Sequence, residues 1–257
     1  MEFIFDLNAV RQHRDRAAAR LNSVAPVLDS LATRLLDRLE DTKRQFTTAL
    51  DLGGRGAIAP ALIAQGMQVV SADISAAMAA KAGGTQHLLP SEDFGLEPHK
   101  YDLILAHFSL HWINDLPGAL IQLRRALQPG GLFLASLPVL GTLGGLRTAL
   151  LEAEEACTGG VSTRVSPFPD LRDCAGLLQR AGFALPVADV EEIELSYANP
   201  LALLRDLRDA GETNAVLARS KKTPPRAMFA QALTRLEPAQ GRMQALLRMA
   251  VLTGWAS

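Results

Sequence analysis

Residues 46–59, FTTALDLGGRGAIA, constrain the fold more than any other stretch. A short β-prone run, 46–52, stops at Gly53-Gly54-Arg55-Gly56. A helix-compatible run, 57–65, follows, with Pro60 restricting its first turn. A strand that ends in glycines and feeds a helix is the geometry of a nucleotide site. Glycines let the backbone approach a ligand closely, and free N–H groups at the helix start favour an anion. The same rhythm continues to residue 137. Strands are predicted over 67–72, 86–89, 101–106 and 132–137. Ser75 is placed to cap a helix over 76–82. Asn114 or Asp115 caps another that runs to about 127, with Pro117 in its first turn. Strands and helices alternating at this spacing require an α/β fold, a mostly parallel sheet with helices on both faces.

The flanks differ in texture. Val24, Val27, Leu28, Leu31, Leu35 and Leu39 recur at helical steps, so 24–40 reads as an amphipathic helix behind a weaker one at 8–20. These form an N-terminal helical segment, 1–45, ahead of a main domain, 46–257. Beyond Pro138 the alternation breaks, and 138–169, with a helix near 146–157, reads as a cap inserted over the sheet. Asp170 caps a helix that Gly182 ends. A strand over 187–195, helices over 200–210 and 225–236, and a closing strand over 246–252 complete the chain.

Composition narrows the function classes. The chain has 257 residues and a net charge of −1, with 48% hydrophobic and 21% charged residues. That is ordinary globular stock, and it excludes a strongly basic nucleic-acid binder. Two cysteines, Cys157 and Cys174, supply neither a disulfide framework nor a zinc site. No apolar run approaches the roughly 18 residues of a membrane span. A cytoplasmic setting is expected. Charge is uneven, −7 over 51–211 and +5 over 212–257. Arg219, Lys221, Lys222 and Arg226 either form a solvated face or dock an acidic partner.

Asp73 lies 22 residues after Asp51, at the end of the next strand. A carboxylate there can accept both hydroxyls of a ribose, in charge-assisted bonds of about 1.5–3 kcal/mol. Two cofactors fit this pattern. Gly54-Arg55-Gly56-Ala57-Ile58-Ala59 matches the GxGxxG/A fingerprint of NAD sites. Asp51 speaks against NAD. A carboxylate in front of the glycines repels a pyrophosphate but suits the ammonium of S-adenosylmethionine, which carries no phosphate. No Tyr-xxx-Lys pair and no G-x-S-x-G elbow is present. His107 and His111 are too few to hold a metal. His111 is either a candidate general base near the transferred group or a positioned histidine that hydrogen-bonds its loop, and no other catalytic group stands out. Trp112 reads as core or pocket wall.

Ala49–Gly56, Ala72-Asp73-Ile74, Tyr101–Ile104 and Leu127–Phe133 resemble the successive motifs of class I S-adenosylmethionine-dependent methyltransferases. A narrower resemblance rests on 108–117, 160–168, 178–183, 211–214 and 252–255. It is to a subgroup of alphaproteobacterial methyltransferase-domain proteins that includes the mitochondrial complex I assembly factor 5. The malonyl-carrier-protein methyltransferase of biotin synthesis is similar more distantly. The resemblance implies a Rossmann-like fold with a seven-stranded sheet, S-adenosylmethionine as cofactor, and methyl transfer to a small-molecule or protein substrate. Because the mitochondrial member hydroxylates an arginine of a complex I subunit, it also implies a protein-arginine hydroxylase or assembly factor whose partner is a respiratory complex subunit. An NAD-binding oxidoreductase is the lesser alternative. By position, Asp51, Gly53, Gly54 and Gly56 form the cofactor loop, Asp73 binds ribose and Ile74 lies against adenine. Ser91, Glu92 and Asp93 reach the adenine amino group, and His107 faces the methionine end. Against the family loop, Asp-x-Gly-x-Gly-x-Gly, this one is either a residue shorter or carries Arg55 at a glycine site, where its side chain is expected to narrow the pocket or force a different turn.

Overall fold

The computed structural model describes residues 3–237 and 241–257. Its centre is a seven-stranded sheet made of β1 (Thr48–Leu52), β2 (Gln68–Asp73), β3 (Thr85–Leu88), β4 (Tyr101–His107), β5 (Leu127–Pro138), β6 (Ala184–Tyr197) and β7 (Met243–Trp255). The spatial order is β3-β2-β1-β4-β5-β7-β6. The first five strands pair in parallel, while β7 runs antiparallel to both β5 and β6. Chain order reverses between β1 and β4. That is the switch point where ligands bind in open α/β sheets. The antiparallel β7 departs from the 3-2-1-4-5-6 order typical of dinucleotide-binding sheets.

The helices fall where periodicity predicts them: α1 (Leu7–Ala18), α2 (Ala25–Glu40), α3 (Ile58–Ala64), α4 (Ala76–Ala82), α5 (Leu116–Ala126), α6 (Gly144–Thr158), α7 (Leu171–Arg180), α8 (Pro200–Asp209) and α9 (Arg226–Leu236). The caps are specific. Ser75 accepts from the Met78 amide, and Asp115, rather than Asn114, accepts from Gly118. The strand predicted to begin at 132 starts at 127. Tyr101 pairs with Leu127, and the register then shifts across Pro129-Gly130-Gly131 before Leu103 meets Leu132.

Both faces of the sheet are covered. Leu103, Leu105 and Leu132 from the strands pack with Leu35 and Leu39 of α2 and with Ile58 and Leu62 of α3. Ile104 and Phe133 pack on the opposite side with Leu120 and Leu123 of α5 and Leu178 of α7. Each such side chain contributes about 1.5–3 kcal/mol on burial. α6 and α9 pack with the C-terminal half of β6 and the N-terminal half of β7 in a separate apolar cluster. α1 lies against α4 and α8 and so comes to rest beside the C-terminal ends of β1 and β2. Among the described residues, no helix is long and apolar enough to cross a membrane.

Candidate functional site

Two cavities open near the switch point. The smaller, about 60 Å³, is lined by residues that include Gly53, Asp73, Ile74, Ser91 and Glu92, with Leu7, Val10 and Arg14 of α1 on its far side. The larger, about 360 Å³, lies under α6, α8 and α9. Its walls include Phe108, Leu146, Phe168, Leu207 and Glu212. Trp112 lines both, so its indole is part of the partition between them.

Backbone geometry explains the glycines. Gly53 (φ +72°) and Gly56 (φ +86°) adopt left-handed conformations that a side chain resists. A Cβ on Gly53 would overlap Ser109. One on Gly54 would overlap the Asp51 carboxylate. Asp51 therefore lies tucked beneath the loop and is fully buried. Neither of its oxygens makes a hydrogen bond of normal geometry. Burial, with the Asp73 charge adding to it, pushes this carboxyl up to about 7; the Ala59 amide and the Arg14 charge offset that only in part.

Asp73 has a partner the sequence did not suggest. Arg14 of α1 reaches it with Nε, 2.9 Å from each oxygen, and with Nη2, which also donates to the Gly53 carbonyl at 2.9 Å. The Ser75 amide donates to the same carboxylate at 2.8 Å. Both Arg14 and Asp73 are buried. The carboxylate expected to face a ribose is thus held by a guanidinium from the N-terminal helix.

Other expected residues divide. Ile74, Ser91 and Glu92 line the smaller cavity. The Glu92 carboxylate is occupied, accepting from the amides of Asn114 and Asp115 and from the Asn114 side chain, at 2.7–2.9 Å. Asp51, Gly54, Gly56 and Asp93 are not on the wall. His107 requires a correction. It lines neither cavity. Its place on β4 turns the ring inward, with Nδ1 2.6 Å from Ser136 Oγ. Burial, reinforced by the Arg55 charge, lowers its pKa to about 3, so it stays neutral.

Of the two expectations for Arg55, a side chain in the smaller cavity is not met: Arg55 is not on that cavity's wall. Its guanidinium donates to the carbonyls of Ala210 and Phe108 and to the carboxylate of Glu212. Glu212 also receives the Trp112 indole N–H at 3.0 Å and meets His111 Nε2 at 2.7 Å. Burial alone would raise the Glu212 carboxyl. Arg55 and His111 outweigh it and hold the group well below the usual carboxylate range. In the basic segment, Arg219 is not a free cation, since it pairs with Asp6 at 3.1 Å.

A model described as "Methyltransferase domain" matches residues 10–186. The chain belongs to this family. Among its relatives, the zebrafish (Danio rerio) protein named arginine-hydroxylase NDUFAF5, mitochondrial, is 31% identical, covering 98% of this chain and 82% of its own. The human protein of that name is 33% identical over 98% and 76%. The malonyl-[acyl-carrier protein] O-methyltransferase of Methylovorus sp. (strain MP688) is 31% identical over 91% and 83%. Among solved structures, the YcgJ protein of Bacillus subtilis superposes with a TM-score of 0.59 at 13% identity, over 87% of this chain and 98% of its own. Likeness at that identity speaks for the class I methyltransferase fold.

Proposed function

We propose that this chain is an S-adenosylmethionine-dependent methyltransferase, with the cofactor at the Gly53–Asp73 cavity and the methyl acceptor in the larger one. When bound, the cofactor supplies a methyl group activated on a sulfonium. The observation that carries the reading is Asp51, a buried carboxyl without a partner directly beneath the glycine loop. An ammonium brought to that loop satisfies it, whereas a pyrophosphate placed there is repelled. Asp73 suits the ribose diol. Ile74 offers an apolar face to the adenine, and the Ser91–Asp93 turn reaches toward its amino group.

The donor set fits the cofactor; the volume requires movement. Small-molecule sites run from about 300 Å³ upward, against about 60 Å³ here. Seating the nucleoside therefore requires Arg14 to release Asp73 and the N-terminal end of α1 to yield. The larger cavity is mostly apolar, with α6, α8 and α9 contributing to its walls. This suits a reaction whose catalysis is largely placement of two groups in line. His111, the candidate general base of the sequence, is held by Glu212 and lines neither cavity, so no catalytic base is assigned. In this reading, residues 46–257 make the catalytic domain, 138–169 roof the acceptor cavity, and helices 1–45 close the cofactor side.

A second reading is protein-arginine hydroxylation, or a part in assembling a respiratory complex, on the same fold; the hydroxylation is favoured by the named activity of relatives that span 98% of the chain. Co-purified partners identified by mass spectrometry discriminate. A respiratory complex subunit favours the second reading. Methylated product from labelled cofactor favours the first. A cytoplasmic location remains part of the first reading.

A further inference from the structure

The cluster around Glu212 is costly to bury and is not built for stability alone. Arg55 and Glu212 have side chains only 1% and 11% exposed. Buried ion pairs of this kind are often matched or bettered by apolar residues of the same volume. This one also leaves Arg55 Nε and His111 Nδ1 buried without partners. Its other end holds Phe108 at φ +51°, a left-handed conformation uncommon outside glycine, with the Phe108 carbonyl accepting from Arg55 at 2.8 Å. Strain of that sort persists where the surroundings over-determine it, often at functional sites.

Placement gives the cluster a role. Arg55 belongs to the glycine loop on the cofactor side. Glu212, after α8, lines the acceptor cavity. Between them, Trp112 lines both cavities, and its indole is fixed by Glu212. We propose that Glu212 and Arg55 are positioning residues: the Glu212 carboxylate holds His111 with its proton on Nε2 and the Nδ1 lone pair bare, and Arg55 ties that assembly to the cofactor loop. This rests on the methyltransferase reading above. His111 itself lines neither cavity, so the assembly acts through what it fixes: the Trp112 indole, which lines both cavities, and the glycine loop that carries Arg55.

Two measurements on the full chain test this. Nitrogen-15 NMR of the imidazoles, assigned with His111→Gln, is expected to show His111 protonated at Nε2; protonation at Nδ1 alone overturns the proposal. Calorimetric titration with S-adenosylmethionine then compares wild type, Arg55→Met, Glu212→Gln and the double variant. Glu212 does not line the cofactor cavity. Coupling through Arg55 is nonetheless expected to weaken cofactor binding at least about threefold in each single variant, and the double variant should be no weaker than the worse single one. A thermal melt confirms folding, and Glu212→Asp, too short to serve both His111 and Arg55, replaces Glu212→Gln if that variant does not fold. Wild-type affinity in a folded Glu212 variant, or additive losses, overturns the coupling alone. Failure of wild type to bind the cofactor instead overturns the methyltransferase reading beneath it.

Discussion

Asp51 makes cofactor binding depend on pH in a calculable way. Its carboxyl ionises at about 7 in the unliganded chain. If only the carboxylate form welcomes the cofactor ammonium, affinity follows the ionised fraction. That fraction is about 9% at pH 6 and about 50% at pH 7, so binding should tighten about fivefold, or about 1 kcal/mol, over that unit. Calorimetry in two buffers of different ionisation enthalpy should also record about 0.9 proton released per cofactor at pH 6 and about 0.5 at pH 7. The cofactor's own amine is half deprotonated near about pH 7.7, so affinity should fall again above that pH. Asp51→Asn removes the acid limb and the proton release and leaves the basic limb. Stability has the opposite sign. A carboxyl whose folded pKa is raised above 3.8 favours the fold at low pH, and that contribution is lost as pH rises toward 7. Unliganded Asp51→Asn should therefore melt above wild type at pH 8. A wild-type affinity that is flat between pH 6 and 7, or an equal slope in Asp51→Asn, would refute the assignment of Asp51 to the ammonium.

Three further outcomes follow from particular contacts. Asp73→Ala should weaken cofactor binding by at least about 1 kcal/mol and also cost about 3–5 kcal/mol of stability, because it strands the buried Arg14 charge; chemical denaturation measures the second effect, and wild-type stability would contradict the pairing. Gly53→Ala sets a Cβ against Ser109 in a left-handed conformation, so cofactor titration should show binding lost while far-ultraviolet circular dichroism stays that of the wild type; retained affinity would mean that the loop has slack. Glu154 accepts from the Ser162 amide and hydroxyl and from Arg164. The Arg164 hydrogen bond, with those from Ser162, lowers its pKa to about 2. Its stabilising contribution is present above the ordinary carboxylate pKa and is lost as pH falls toward 2, so Glu154→Gln should flatten the melting-temperature profile between about pH 5 and 2.

Much of the scaffold was legible because it is written in local periodicity. The α2 stripe, the Ser75 and Asp115 caps and the buried run of β4 each depend on residues within a few places of one another. The glycine loop was legible for a related reason, since strand, glycines and following helix are contiguous. The contacts that decide the site are not local. Arg14 meets Asp73 across 59 positions and Arg55 meets Glu212 across 157. Nothing in the spacing of either pair announces a bond. His107 shows the limit of position along a strand: it ends β4 near the cavities, but its ring meets Ser136 and lines neither of them.

The reading as a whole turns on whether the glycine loop takes S-adenosylmethionine. Titrating the folded chain calorimetrically with S-adenosylmethionine and, in parallel, with NAD is the direct test. Saturable one-site binding of the first and none of the second is the expected result. No heat with S-adenosylmethionine at millimolar concentration, from protein shown to be folded, would contradict it.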